Sequence, residues 1–164
     1  MKTKEEIFEF AESLMSDLGL QIVKQDRDRP WGGFLVLEES QAAQFAQEFF
    51  PEEDFEALKI SEKLSPKILL VAPNKRLSWQ YHFRRAEIWR CIAGNVAVAT
   101  SNDDTEREVK TLSKGDKIKL IQGERHRLIG LEDWGVVAEI WQHTDAANPS
   151  DEEDIVRLQD DFGR

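Results

Sequence analysis

Apolar side chains near the start of the chain keep a helical rhythm. Thr3 and Glu6 form a capping-box pattern, and Ile7, Phe8, Phe10, Ala11, Leu14, Met15 and Leu18 then recur at helical spacing until Gly19. This predicts an amphipathic helix within residues 1–19. A second helix is predicted from Ser40 to Phe50, where Ala42, Ala43, Phe45, Ala46, Phe49 and Phe50 share overlapping faces and Pro51 stops the run. The helical segment as a whole is placed at about residues 40–56. Both aromatic stripes read as surfaces that pack against a core.

From Lys67 the texture changes to short apolar or alternating runs: KILLVAP, LSWQYHF, EIWRCIAGNVAVAT, EVKTLSKGDKIKLIQG, RHRLIGL and WGVVAEIWQH. Gly94-Asn95, Asn102-Asp103-Asp104, Lys114-Gly115-Asp116 and Asp133-Trp134-Gly135 supply turn chemistry between them. Closely spaced short strands predict an antiparallel sandwich or barrel over about residues 67–143. The charged end, residues 144–164, keeps Ile155, Val156, Leu158 and Phe162 to bury and is expected to dock on the body. With no internal repeat or linker, the whole of 1–164 reads as one domain.

A formal net charge of -10 argues against a phosphate-backbone-binding face, so nucleic acid is not an expected partner. A few arginines focused in a cleft can still hold a small anion. The sole cysteine, Cys91, permits no intrachain disulfide. The acidic pair Glu5-Glu6 interrupts any secretory apolar run, and no stretch has the length of a membrane span, so a cytoplasmic protein with no membrane partner is expected.

The remaining chemistry is concentrated around two of the three histidines. Gln80, His82, Glu87 and Gly94, followed later by Gly115, Gly123 and His126, resemble the two signatures of the cupin superfamily. Gln80 stands in place of the first signature histidine, Asn74 in place of the opening glycine, and Ile121 and Gly130 in place of a proline and an asparagine. The resemblance implies a mainly β jelly-roll, a double-stranded β-barrel with N-terminal helical decoration.

Elementary geometry agrees with a metal site. Residues i and i+2 on a strand share a face, so Gln80 and His82 can aim at one point, which Glu87 and His126 could complete. Either histidine alone would fit an ordinary core or surface position. Two imidazoles, a carboxylate and an amide oxygen suit one divalent metal, zinc foremost, with manganese, iron, cobalt or nickel as the other candidates. His143 has no such context and is expected to be a solvated strand-end residue.

A narrower likeness covers most of Arg29 to Arg164. RPWGGFLVLEE, RLSWQYHFRRAEIW, HRLIG and EEDIVRLQDDFGR resemble, in order, motifs of the isomerase domain of type II mannose-6-phosphate isomerases. Membership implies a metal-dependent aldose-ketose isomerase that acts on a sugar or sugar phosphate through an enediol. It also allows a homodimer paired through sheet edges. Many relatives carry a fused guanylyltransferase, of which nothing here has the phosphate-loop pattern, so a stand-alone isomerase is expected.

The chain departs from those motifs at Phe83, Arg84 and Ile88, where histidines are expected, and at Ile140 and Trp141 after Glu139. Substrate identity is therefore less fixed than fold. Alternatives are a sugar-binding or regulatory metal cupin, an isomerase of another sugar, and an iron-dependent cupin oxygenase.

For the isomerase, Glu139 is the first candidate for the proton-moving base, although strand alternation leaves its face open. Arg157 is placed beside it as a second catalytic residue through the family motif. Arg76, Arg85, Arg127 and Arg164, also at motif arginines, are the candidate substrate-binding cations, since a guanidinium suits phosphate. Trp79, Trp89 and Trp141 are candidate sugar-stacking faces.

Overall fold

The computed structural model describes residues 1–59 and 62–163. Helix α1 spans Lys4–Asp17 and begins as expected: the Glu6 N–H donates to the Thr3 hydroxyl at 3.1 Å, and the Thr3 N–H donates to the Glu6 carboxylate at 3.4 Å. Its buried stripe is Ile7, Phe8, Ala11 and Met15. A 3-10 turn at Glu39–Gln41 leads into α2, Ala42–Phe49, which buries Ala42, Phe45, Ala46 and Phe49; α3, Phe55–Leu58, adds a single turn. Among the described residues no helix is long and apolar enough to cross a membrane.

The strands are β1 (Ile22–Arg29), β2 (Gly32–Leu37), β3 (Lys67–Val71), β4 (Trp79–Tyr81), β5 (Arg85–Ala93), β6 (Asn95–Ser101), β7 (Glu108–Ser113), β8 (Lys117–Leu120), β9 (Arg125–Gly130), β10 (Gly135–His143) and β11 (Val156–Gln159). They form a six-stranded sheet, β1-β2-β3-β10-β5-β8, and a five-stranded sheet, β11-β4-β9-β6-β7. Every strand pairing is antiparallel. The architecture is cupin-like, but among the described residues the two sheets remain separate and no strand ladder closes them into the expected barrel.

The β1–β2 hairpin lies upstream of the expected strand region. Its signal is hidden for opposite reasons: β1, IVKQDRDR, is a polar edge strand, whereas β2, GGFLVL, is buried on both faces and shows no alternation. Gly32, at φ 143, lies so close to β3 that a Cβ would stand 2.0 Å from the Leu70 carbonyl oxygen.

Burial of both faces of the six-stranded sheet organises the molecule. On the outer face Leu35, Ile68, Leu70, Val136, Ala138 and Ile140 pack with the apolar stripes of α1 and α2. On the inner face Phe34, Leu69, Val71, Trp89 and Val137 meet Val96, Val98 and Leu128 of the other sheet. Successive residues of β10 therefore alternate between two cores, which decides the orientation of Glu139: it shares the inner face with Val137 and Trp141.

In the terminal segment β11 pairs with β4, with Arg157 opposite Gln80.

Candidate metal centre

β4 belongs to the five-stranded sheet and β5 to the six-stranded one, so the short connection between them crosses the sandwich. His82 sits in that connection, Glu87 two residues into β5, and His126 on β9, where it is in register with Gln80 of β4. The crossing brings the Nε2 of His82 to 3.0 Å from Glu87 Oε1 and 3.3 Å from His126 Nε2; the latter lies 3.8 Å from the same Glu87 oxygen. All three side chains are buried, and one ligand atom from each lies within 4.8 Å of the others.

Hydrogen bonding fixes the tautomers. His82 Nδ1 stands 2.7 Å from the Asp154 carbonyl oxygen and His126 Nδ1 3.0 Å from that of Glu124. A carbonyl only accepts, so each Nδ1 carries a proton, and in the neutral imidazole Nε2 is then the atom that presents a lone pair. Two lone pairs and a carboxylate oxygen therefore converge on one point, a donor set suited to a divalent cation. Bonds of about 2.1 Å around a tetrahedral centre would separate ligand atoms by about 3.4 Å, close to the spacing found here.

Gln80 stands at the rim with Nε2 3.3 Å from His82 Nε2, while its Oε1 accepts from the Ser78 hydroxyl at 2.5 Å. A half-turn of the amide would exchange the two, so of the expected ligands Gln80 is adjacent but does not present its oxygen.

Arg85 reaches the centre from β5. Its Nε donates to Glu87 Oε1 at 3.0 Å, Nη2 approaches His82 Nε2 at 3.3 Å, and Nη1 donates to the Ser150 hydroxyl and the Asp151 carbonyl. The guanidinium carbon lies 3.6 Å from the Trp141 ring centroid. Burial raises the pKa of a carboxylic acid, but Arg85, His82 and His126 outweigh it and hold Glu87 well below the usual range. Burial pushes the His126 imidazole down to about 4 against the pull of Glu87.

Beside the centre, between the sheets, lies a cavity of about 100 Å³. Its wall follows from strand register: Glu139 of β10 is opposite Lys67 of β3 on one side and Trp89 of β5 on the other. The Glu139 carboxylate accepts from the indole N–H of Trp89 at 2.7 Å and from that of Trp141 at 3.0 Å, and the Trp89 N–H also lies 3.0 Å from Glu87 Oε2. Burial, then the charge of Glu87, pushes the Glu139 carboxyl up to about 8. Lys67 is buried, pairs with Glu152, and holds its ammonium 4.0 Å from the Trp141 ring centroid.

Arg157 lines the cavity from β11 and Arg85 lines it from β5. Arg76 and Arg127 are not on that wall. Arg76 makes a two-point ion pair with Asp161, at 2.7 and 2.9 Å. Arg127, 1% exposed, donates to the Leu77 carbonyl, Glu106 and Gln159. Arg164 lies outside the described residues. Trp89 and Trp141 face the cavity, whereas Trp79 donates its indole N–H to the Asp104 carbonyl.

His143 corrects the sequence expectation of a solvated residue. It is 0% exposed; its Nδ1 accepts from the Ser150 N–H at 2.9 Å, leaving Nε2–H to donate to the Ser65 hydroxyl at 3.1 Å. Residues 64–66 and the docked terminal segment cover the strand end that its sequence position suggested was open. Burial, then the charges of Lys63 and Arg85, pushes its imidazole down to about 4.

Sequence reading missed Lys67, Trp31, Phe34 and Glu152 of the cavity wall. Lys67 merely opens an apolar run, and nothing local indicates that it will stand opposite Glu139.

Known proteins add an independent comparison. The family model for the mannose-6-phosphate isomerase C-terminal domain matches residues 38–160. A mannose-1-phosphate guanylyltransferase of Salmonella montevideo is 28% identical over 110 residues, covering 67% of this chain and 22% of that protein. One from Escherichia coli strain K12 is 27% identical over 110 residues, 67% of this chain and 21% of its own length. The chain thus spans about a fifth of the length of these curated relatives. Among solved structures, the capsular polysaccharide assembling protein CapF of Staphylococcus aureus matches with a TM-score of 0.55 and 16% identity, over 85% of this chain and 32% of that one; the likeness is one of fold.

Proposed function

We propose that this chain, which belongs to the mannose-6-phosphate isomerase C-terminal family, interconverts an aldose phosphate and its ketose by moving a proton between adjacent carbons. The observation that carries the reading is the convergence of His82, Glu87 and His126 at the edge of a cavity that also holds Glu139. The relatives' names concern mannose phosphates, which makes mannose 6-phosphate the first substrate to try.

His82, Glu87 and His126 would hold the metal, with Gln80 able to join after an amide turn; zinc fits the donor set best. A bound divalent cation would supply Lewis-acid stabilisation of negative charge developing on a substrate oxygen. The protein's own groups do the rest. Lys67, Arg157 and Arg29 are cations on the cavity wall available to a phosphate, Lys67 by exchanging Glu152 for it. Trp89 and Trp141 wall off water and hold the Glu139 carboxylate by their indole N–H groups. Glu139 takes the proton from one carbon and returns it to the next, which requires a carboxyl group that exists in both protonation states near neutrality. Arg85 orients Glu87.

A second reading, a sugar-binding cupin without turnover, is favoured by one feature: the Arg85 guanidinium already contacts both His82 and Glu87. Proton exchange separates the two. Zinc-loaded protein in deuterated water with mannose 6-phosphate, fructose 6-phosphate and other aldoses is expected to place deuterium at C1 or C2 of one sugar, and His126→Ala to abolish this. Binding of a sugar without exchange would favour the second reading.

A further inference from the structure

We propose that Asp154 is a positioning residue of the metal centre, so that the C-terminal segment is part of the site; this rests on the metal reading above. Asp154 is 4% exposed and touches none of the converging ligand atoms. It instead holds His82 by its main chain and the two residues that follow His82 by its side chain. Its main-chain carbonyl takes the His82 Nδ1–H at 2.7 Å, which sets the ring's plane and tautomer. Its side chain accepts the Phe83 N–H at 3.0 Å on one oxygen and the Arg84 N–H at 2.9 Å and Ser150 hydroxyl at 2.6 Å on the other.

Those N–H groups belong to the chain that crosses from the five-stranded to the six-stranded sheet. The crossing sets how far His82 stands from Glu87, and Asp154 clamps it. His126 differs, because its Nδ1 acceptor is the carbonyl of Glu124, two residues away on the same stretch of chain. One histidine is thus held locally and the other by a segment 72 residues further along. All the Asp154 side-chain partners are donors, so only a group that accepts on both oxygens fits. An asparagine of equal size would turn an NH2 towards one set of them.

The test uses the full chain and two measurements. In metal-free protein, imidazole 15N NMR is expected to find His82 wholly as the Nδ1–H tautomer, and Asp154→Asn to give a mixture at His82 while His126 is unchanged. Competition against a chromophoric chelator is expected to show zinc bound about 10–100-fold more weakly by Asp154→Asn, the usual effect of losing an outer-shell partner. Asp161→Asn, which breaks the Arg76 pair, serves as a control that alters stability but neither reading. If Asp154→Asn does not fold, Ser150→Ala is expected to shift both readings in the same direction by less.

An unchanged His82 tautomer with zinc affinity within about threefold of the unaltered chain would overturn the positioning role while leaving the metal reading intact. Failure of the unaltered chain to take up zinc would overturn the metal reading instead, and the tautomer measurement would still decide whether Asp154 sets His82.

Discussion

The Nε2 atoms of His82 and His126 lie 3.3 Å apart across 44 residues of sequence, each turned towards the other by a carbonyl that holds the opposite ring nitrogen. Nothing within either imidazole favours two lone pairs at that distance; Glu87 and Arg85 stand beside them, and a cation would bind both. Replacing His126 with alanine is expected to lower zinc affinity at least 100-fold and remove sugar proton exchange, read by chelator competition and NMR. Retention of near-native zinc affinity would rule out the proposed ligand set.

Glu139→Gln separates binding from proton transfer. The amide keeps the size of the carboxyl but cannot take a proton, so exchange should fall by about 10²–10⁴. Zinc and sugar-phosphate affinities should stay within a few-fold. Undiminished exchange would remove Glu139 from the reaction.

Lys67→Met tests where the phosphate sits. Loss of one charge-assisted contact of about 1.5–3 kcal/mol should weaken fructose 6-phosphate binding by roughly 10–100-fold and leave the free sugar almost unaffected. Calorimetric titration of both sugars gives the answer, and equal weakening of the two would place the phosphate elsewhere.

Arg127→Met should act on stability. Its buried guanidinium joins the Leu77 carbonyl, Glu106 and Gln159 away from the cavity wall, so its loss removes charge-assisted hydrogen bonds that tie these segments together, at a cost of about 1–3 kcal/mol. Denaturant unfolding should record this while substrate affinity of the folded fraction holds. A selective loss of affinity would return Arg127 to the substrate site.

His143 predicts a pH dependence. Its folded pKa, about 4, is below the unfolded value near 6.5, so the unfolded chain binds the proton first as pH falls. The stabilisation is complete above pH 6.5 and is lost between pH 6.5 and 4, amounting to about 3 kcal/mol. In metal-free protein His126 acts in the same direction. Glu139, whose pKa is raised to about 8, acts oppositely: its contribution is present below about pH 4.5 and is lost as pH rises towards 8. The informative quantity is therefore the difference between the unaltered chain and His143→Asn, whose urea midpoint should depend less on acidification over that window. Parallel curves for the two proteins would contradict it.

Local order in the sequence determined the capped helix α1, the α2 stripe and the strand runs from Lys67 onward, because helix caps and periodicity operate over a few residues; the candidate ligands His82, Glu87 and His126 were legible only through their likeness to the cupin signatures. Tertiary structure decided what depends on which surfaces meet. It covered both faces of β10 and so turned Glu139 inward; it set Lys67 opposite Glu139 through strand register; it buried His143 under the docked terminus. It also drew Arg76 and Arg127 into ion pairs away from the cavity while leaving Arg157 on its wall, a sorting among similar arginines that depends on neighbours far away in the chain. The His82 orientation set by Asp154 is of the same kind, since a carbonyl acceptor has no signature in sequence and is identified only by the chain that folds against it.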